Sequence, residues 1–319
     1  MHEYQLIKKY FSNLSKNNKS SLDLNDDVFF DKSKRLVVSV DTYVQGVHFL
    51  DFKKPDLVIK KIIRSSISDL ICKGVNPKYY FVSGSGNSKY FSSINLKKIS
   101  ISLKQEQKKY AILLSGGDTV LSDKLSFTIT SVGFSSKIIF RNKAKLNDDI
   151  YVTGDLGDSY AGLKILTKKI NTNRSLKKYF ENKYFLPNLH LKFAKKLFLF
   201  ANTSIDISDG LIADLEKLIN KQRLSYKLFL DNIPISKNLN KLLILKKLKK
   251  ISFVSRGDDY QILFTASSSK ARNISKIAKS LGIKISKIGK VCSSSQNSQV
   301  IDQKGKKIPL KNKGYYHKF

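Results

Sequence analysis

The chain carries the sequence LVVSVDTYVQGVHF at residues 36–49. Its first five residues are mostly apolar and β-branched, which is typical of a buried strand. The run then reaches Asp41, and burying a carboxylate is costly unless a cation or hydrogen bonds compensate its charge. In open α/β sheets, ligands bind at the carboxyl ends of strands. We therefore interpret Asp41 as part of a ligand site.

Aspartates recur at comparable places, beside apolar runs that predict strands or helices. Residues 55–74 have helical apolar spacing, and Asp69 falls near the end of that helix, where the macrodipole disfavours a negative charge. A positive group should therefore lie close to Asp69. We interpret the aspartates as one constellation, whose other members are Asp26, Asp27, Asp118, Asp206 and Asp209.

Several local patterns predict turns, helix starts or strands. Residues 84–87 and the Gly-Gly pair before Asp118 are typical of turns, and the second turn would allow a close backbone approach to a phosphate. Ser208 is expected to open a helix that runs to residue 218, with its free N–H groups facing the nearby carboxylates. Residues 251–254 predict a strand. The adjacent aspartates 26 and 27, taken alone, indicate only a turn.

Composition limits the class of protein. The 319 residues, 41% of them hydrophobic, are enough for a full core and predict two domains. The cysteines, Cys72 and Cys292, form no CxxC pair, so a disulfide framework and a structural zinc site are not expected. Residues 1–10 do not resemble a signal peptide, and no stretch approaches the ~18 apolar residues of a membrane helix. These features predict a cytoplasmic protein without a membrane partner.

The formal net charge of +34 raises the alternative of a nucleic-acid-binding protein. The lysines, however, are spread over nearly every segment and arginine is scarce. Lys, Asn, Ile, Phe and Tyr are frequent together, and these are the residues that AT-rich codons encode. We therefore interpret the charge as a solvated lysine surface and expect no nucleic-acid partner.

Six motifs, in this order, resemble a known family: VSVDTYVQGVHF, SISDLICKGV, SGGDT, YVTGDLGDSYAGL, IDISDGLIADL and GDDYQILFT. Together they resemble the thiamine-monophosphate kinase family of the AIR-synthetase-like ATP-binding superfamily, from about residue 25 to the C-terminus. The reactive cysteine or selenocysteine of selenophosphate synthetases is absent, and AIR synthetases differ around the first strand aspartate.

The resemblance implies an α/β (α+β) fold of two domains. An N-terminal AIR-synthetase-like ATP- and Mg-binding domain would occupy residues 1–145, and a C-terminal α/β domain residues 146–319. The mixed sheet of the first domain would pair across a homodimer, with the nucleotide in a cleft between domains and subunits.

The resemblance also implies direct in-line transfer of the ATP γ-phosphoryl group to thiamine monophosphate, giving thiamine diphosphate. Several Mg²⁺ ions would neutralise the two phosphate chains, and no protein nucleophile would be needed. The implied metal ligands are Asp26, Ser39, Val40 through its backbone, Asp41, Asp69, Asp118, Asp206 and Asp209. The implied ATP contacts are Gly117, Asp118, Arg141 and Ser208, and the implied substrate contacts are His48, Asp258 and Tyr315.

One departure from the family pattern concerns the substrate. The usual Gly-Glu-Asp-Tyr is Gly-Asp-Asp-Tyr here, so the carboxylate of Asp258 is one methylene shorter. This departure bears on substrate affinity. Two alternatives also stay open beside the kinase. One is another AIR-synthetase-like enzyme with a different acceptor, and the other is a basic nucleic-acid-binding protein without catalysis.

Overall fold

The computed structural model describes residues 3–317, in which two β-sheets carry helices. The first sheet has the strand order β1-β2-β5-β3-β4, in which only the β3–β4 pair is parallel. Its strands are β1 (Phe29–Asp31), β2 (Leu36–Val44), β3 (Pro77–Gly86), β4 (Leu113–Leu121) and β5 (Ser126–Phe134).

The second sheet has the order β11-β8-β10-β6-β9-β7, antiparallel except for the β11–β8 pair. Its strands are β6 (Asp149–Thr153), β7 (Ala201–Asp206), β8 (Leu224–Phe229), β9 (Ile262–Ala266), β10 (Ile285–Ser293) and β11 (Gln299–Ile301). The two mixed sheets with their helices confirm the predicted fold class. The domain boundary predicted at residue 145 falls between β5 and β6 and stays a prediction.

The α-helices are α1 (Glu3–Leu6), α2 (Pro55–Cys72), α3 (Ser93–Tyr110), α4 (Asp158–Leu166), α5 (Arg174–Phe185), α6 (Leu191–Ala194), α7 (Leu211–Leu218), α8 (Lys237–Leu245), α9 (Ile251–Val254) and α10 (Ala271–Leu281). Among residues 3–317, no helix combines the length and the apolar character that crossing a bilayer requires.

Helix α2 connects the two sheets. Its apolar face includes Ile62, Ile63 and Ile67, which are almost fully buried. One hydrophobic cluster contains these side chains together with Tyr151 of β6 and Phe264 of β9. Both sheets therefore pack around the same helix, and residues that α2 presents at their junction are held from two sides.

The side chains of strand β2 alternate between the core and the surface. Successive side chains of a strand point to opposite faces. Ser39, Asp41 and Tyr43 therefore share the face that carries α2, whereas the side chain of Val40 lies on the opposite face and is 61% exposed. The predicted strand and its inward aspartate are thus present.

Four local predictions are wrong. The Gly-Gly pair before Asp118 lies inside β4, and residues 84–86 lie inside β3, so neither is a turn. A Cβ atom at Gly117 would lie 1.8 Å from the Val82 carbonyl oxygen on β3. The close approach of the two strands therefore requires glycine at this position. Residues 251–254 form helix α9, because a short apolar run does not distinguish helix from strand. Helix α7 begins at Leu211, three residues after Ser208.

Candidate active site

The predicted site residues gather mainly around one cavity of about 480 Å³, between the end of β2, the middle of α2, the end of β7 and residues 256–260. The predicted residues that line it are Asp41, His48, Asp69, Asp206, Ser208, Asp209, Asp258 and Tyr315. A larger cavity of about 930 Å³ shares Tyr160 and Arg256 with it. Lysines and apolar side chains line much of that neighbour and none of the predicted residues do, so we take the smaller cavity as the site.

Three carboxylates converge on one part of this cavity. We call it the phosphate side, because the predicted metal ligands would hold phosphates there. Asp27, Asp69 and Asp206 each offer an oxygen atom, and these atoms lie within 4.8 Å of one another. We call these three residues the acidic group. They come from the segment before β1, from α2 and from the end of β7, so the fold, and not sequence proximity, brings them together.

Burial makes the charges of this region expensive. It raises the pKa of Asp41 to about 6 and that of Asp206 to about 6. The pKa of Asp69 is also raised, first by burial and then by the neighbouring charges of Asp41 and Asp206. Like charges held close together oppose ionisation, and an external cation would relieve both effects.

Hydroxyl groups orient these carboxylates. Ser39 donates a hydrogen bond to Oδ2 of Asp69, and Ser68 donates one to Oδ2 of Asp206. The Tyr43 hydroxyl lies 3.2 Å from Oδ2 of Asp41. Ser39, predicted as a metal ligand, is therefore buried beside the acidic group.

Asp26 and Asp27 have different positions relative to the cavity. The fully buried ammonium of Lys73 lies 2.6 Å from Oδ1 of Asp26 and 2.9 Å from Oδ2 of Asp27. The backbone N–H of Arg141 also donates to Asp26, at 3.0 Å. Asp27, and not the predicted Asp26, belongs to the acidic group, because a carboxylate oxygen of Asp27 lies within 4.8 Å of oxygens of Asp69 and Asp206. Lys73 also supplies the positive charge that the position of Asp69 requires.

Arg141 lies beside the phosphate side rather than free in the cavity. Its guanidinium forms an ion pair with Asp27, and its Nε lies 3.1 Å from Oδ2 of that residue. Its predicted contact with ATP stays a prediction, although its position next to the acidic group is compatible with it.

The start of α7 carries a second set of charges. Asp214 is fully buried and accepts the backbone N–H groups of Asp209 and Gly210, each at 2.9 Å. Lys217 forms ion pairs with Asp209 and with Asp214. Both carboxylates raise the pKa of Lys217 against the effect of its burial. Asp209 thus lines the cavity with an ammonium beside it.

The three predicted substrate contacts line the same cavity, and we call the part of it that they occupy the acceptor side. Nδ1 of His48 accepts the backbone N–H of Val44 at 3.0 Å, and burial lowers the pKa of His48. The backbone N–H of Tyr315 donates to the carbonyl of Asp209 at 3.0 Å, which fixes the C-terminal segment against α7. Asp258 lines the same cavity.

Backbone contacts join the two sides. The N–H of Asp258 donates to the Ser208 carbonyl and that of Tyr260 to the Ile207 carbonyl, each at 2.8 Å. A side chain at Gly257 would come within 1.8 Å of the Ser208 oxygen, so this approach requires glycine. Asp258 has a positive φ of 70°, which is uncommon outside glycine and typical of functional sites.

The chain was compared with known proteins. The AIR synthase related protein N-terminal domain family matches residues 25–135. The thiamine-monophosphate kinase of Buchnera aphidicola subsp. Acyrthosiphon pisum is 32% identical over 99% of this chain and 98% of its own length. The chain belongs to the thiamine-monophosphate kinase family. The member from Bacillus subtilis is 29% identical and aligns over 99% of each chain.

Solved structures agree with this family assignment. The structure described as AaThiL complexed with AMPPCP and TMP superposes with a TM-score of 0.84 at 26% identity, covering 99% of this chain and 97% of that one. Thiamine monophosphate kinase from Aquifex aeolicus gives a TM-score of 0.79 at 26% identity, covering 97% and 99%. The hydrogenase maturation protein HypE in complex with ATP, at 17% identity and a TM-score of 0.68, shares the fold.

Gly117 and Asp118, expected as family ATP and metal contacts, do not reach the cavity. They lie on β4, at the edge of the sheet, and β5 and β3 separate β4 from β2. Three strand spacings of ~4.8 Å put about 14 Å between the β2 and β4 backbones. All nine residues of β4 are exposed. Within a single chain, Asp118 therefore lies far from the acidic group.

Some residues at or beside the cavity were not assigned a role from the sequence. Asp27 was placed in the aspartate constellation but not among the implied metal ligands. Lys61 lies four and eight residues before Ser65 and Asp69, which places all three on one face of α2. That spacing could have identified Lys61. The contacts of Tyr43 and Lys217 depend on tertiary structure and had no comparable signal.

Proposed function

We propose that this protein transfers the γ-phosphoryl group of ATP to thiamine monophosphate, giving thiamine diphosphate, in a Mg²⁺-dependent reaction. The observation that carries the proposal is the convergence of three carboxylate oxygens within 4.8 Å at a cavity that also contains the predicted acceptor contacts. Family membership supports it, as does the relative whose description includes AMPPCP and TMP.

The acidic group suits Mg²⁺. Mg²⁺ prefers hard oxygen ligands and is typically held by one or two carboxylates together with substrate phosphates. Asp27, Asp69 and Asp206 supply such oxygens. Burial raises the pKa of Asp69 and of Asp206, and a cation beside them would favour their ionised state. When bound there, Mg²⁺ would reduce the repulsion between the phosphates of ATP and of the acceptor.

The residues of the chain would act by positioning. The hydroxyls of Ser39 and Ser68 hold the carboxylates of Asp69 and Asp206 in fixed orientations. The hydrogen bond between Asp258 and the Ser208 carbonyl fixes the acceptor side relative to the proposed ATP contact. A phosphate oxygen of the acceptor is already ionised near neutral pH, so direct in-line transfer requires alignment and no protein nucleophile.

The active enzyme would be a homodimer. A second copy could bring Gly117 and Asp118 to a site that they cannot reach within one chain. The exposed β4 edge supports this proposal, because unpaired strand edges form contacts with other chains. Val40 and Phe81, 61% and 37% exposed, add apolar surface to the same sheet. A dimer with twofold symmetry would contain two equivalent shared sites.

A cytoplasmic location belongs to the same proposal. Cys72 and Cys292 are both free thiols, which suits a reducing compartment.

The test is product formation by the purified full-length protein with ATP, Mg²⁺ and thiamine monophosphate. We expect thiamine diphosphate to form and to require both Mg²⁺ and this acceptor. Consumption of ATP with a different acceptor, and none with thiamine monophosphate, would support the alternative enzyme of the superfamily. Salt-sensitive nucleic-acid binding without any turnover would support the non-catalytic alternative.

A matched pair of variants ties the activity to the cavity. Asp41→Asn should lower turnover about 10²-fold or more, because a charge near the reacting phosphates is lost. Asp149→Asn is the control, since Asp149 is a buried carboxylate on β6 that pairs with Lys287, outside the cavity. Near wild-type turnover of Asp41→Asn would contradict the assignment.

A further inference from the structure

Lys61 is a buried cation that the proposed reaction does not yet explain. It is 1% exposed, on the α2 face that also carries Ser65 and Asp69. Since residues four apart lie above one another on a helix, α2 presents Lys61 toward the acceptor side and Asp69 toward the phosphate side. Helix α2 therefore contributes a positive charge to the acceptor side and a negative charge to the phosphate side.

The ammonium of Lys61 contacts the acceptor side directly. Its Nζ lies 3.0 Å from Oδ1 of Asp258 and 3.6 Å from the ring centroid of Tyr184, whose side chain lines the cavity. The hydroxyl of Tyr260 lies 3.2 Å from the same Asp258 oxygen. Lys61 therefore contacts Oδ1 as an ion pair and Tyr260 contacts it as a hydrogen-bond donor, and neither contact involves Oδ2.

The backbone of Asp258 restricts this side chain further. Its N–H is bonded to the Ser208 carbonyl, and its φ of 70° is a conformation that non-glycine residues adopt rarely. With the backbone and Oδ1 both fixed, the carboxylate has little rotational freedom. Its second oxygen then has a defined position relative to the cavity.

Burying the charge of Lys61 costs free energy, so the ion pair between Lys61 and Asp258 requires an explanation. A lysine without exposure is unfavourable unless a partner compensates its charge. Burial lowers the pKa of Lys61, and the Coulombic attraction of Asp258 acts against that shift. Asp258 is more accessible, with 28% of its side chain exposed. The buried lysine therefore serves a carboxylate that solvent or a ligand can reach.

We propose that Lys61 is a positioning residue for the phosphoryl acceptor, which fixes Oδ1 of Asp258 so that Oδ2 accepts a hydrogen bond from the non-phosphate end of the acceptor. This inference rests on the proposed function and specifies how the acceptor side works. Because the ammonium balances the carboxylate, the pair recognises a hydrogen-bond donor rather than a net positive charge.

The test is the variant Lys61→Met, which removes the ammonium and leaves an apolar side chain of similar length. We expect the KM for thiamine monophosphate to rise about 10- to 100-fold, with kcat and the KM for ATP changed less than about threefold. Calorimetric binding of thiamine monophosphate with Mg²⁺, without ATP, should weaken by a similar factor. An unchanged KM in a folded Lys61→Met protein would overturn the proposal.

Arg64→Met is the matched control for stability. Arg64 lies on the same helix and is buried, and its Nε forms an ion pair with Oε2 of Glu106 at 2.8 Å. The side chain of Arg64 does not line the cavity. It should lower thermal stability and leave the KM for thiamine monophosphate within about twofold of wild type. If Arg64→Met raises that KM as much as Lys61→Met, the role of Lys61 is structural and the proposal fails.

The double variant Lys61→Met/Asp258→Asn separates positioning from folding. It removes both charges, so thermal stability should recover relative to Lys61→Met alone, while acceptor binding stays weak. Recovery of binding together with stability would overturn the proposal. Failure of the proposed function is distinguishable: a wild-type protein that binds thiamine monophosphate without turnover disproves the kinase assignment, and loss of that binding in Lys61→Met still supports the inference.

Discussion

The two sides of the cavity hold their carboxylates in opposite ways. On the phosphate side, Asp69 and Asp206 lie close together, with Asp41 near them, and their pKa values are raised by burial. On the acceptor side, Asp258 has its own ammonium from Lys61 at 3.0 Å. The phosphate side has more carboxylates than the ammonium of Lys73 and the guanidinium of Arg141 can balance, whereas the acceptor side has one ammonium for one carboxylate. Under the proposed function, Mg²⁺ would complete the first arrangement, and the second would recognise the acceptor by hydrogen bonds.

The largest expected effect tests whether the phosphate side is complete in one chain. Asp69→Asn and Asp118→Ala should each lower turnover about 10²-fold or more when purified alone. Mixing the two proteins with subunit exchange should restore about a quarter of wild-type activity, because half of the dimers are mixed and one of their two sites is intact.

Mixing Asp69→Asn with Asp41→Asn is the control. Both residues belong to the same half of the proposed site, so every mixed dimer would contain one defect in each site and activity should stay low. Restored activity in this control, or no restoration with Asp118→Ala, would contradict a site shared between subunits.

An intermediate effect is expected on the acceptor side. Asp258→Asn should raise the KM for thiamine monophosphate about tenfold, because an amide cannot balance the ammonium of Lys61. The KM for ATP should stay within about twofold. Asp155→Asn removes a surface ion pair with Lys284 and serves as the matched variant. Equal changes in both KM values for Asp258→Asn would show that the two sides are not separate.

The smallest effect concerns the pH dependence of Mg²⁺ binding. Asp41 and Asp206 have pKa values raised to about 6, so without metal their contribution to stability is favourable while they are protonated and is lost as the pH rises through about 6. Mg²⁺ binds the deprotonated groups. The increase in Tm caused by Mg²⁺ should therefore be small near about pH 5 and reach several degrees near about pH 7.5.

Differential scanning fluorimetry with and without Mg²⁺ measures this difference. Asp41→Asn should reduce the Mg²⁺-dependent increase at the higher pH, since one ionisable group is removed. A Tm increase that is independent of pH would contradict metal binding by these carboxylates.

Much of the fold was predictable because β2 and α2 carry strong periodic patterns. The inward aspartate of β2 and the late aspartate of α2 both follow from residue spacing, and the need for a positive group near Asp69 followed from the helix dipole. The structure supplies Lys73 for that purpose, one turn beyond Asp69 and directly after the last residue of α2. Here local physical rules and tertiary structure agree.

Other features depended on contacts between distant segments. Asp26 and Asp27 are adjacent in sequence, and only the folded position of their carboxylates decides which of them lies beside Asp69 and Asp206. The Gly-Gly pair before Asp118 is extended because β4 pairs with β3, which local sequence does not reveal. Residues 251–254 are too short for their periodicity to distinguish strand from helix.

The hydrophobic cluster around α2 also bears on how the molecule folds. It includes Ile62, Ile67, Tyr151 and Phe264, so side chains from both halves of the sequence fill one interior. A fragment that ends near residue 145 would leave the partners of α2 behind and expose apolar surface to water. The two halves should therefore melt in a single cooperative transition, and synthesis of the second half is needed before the first half is fully stable.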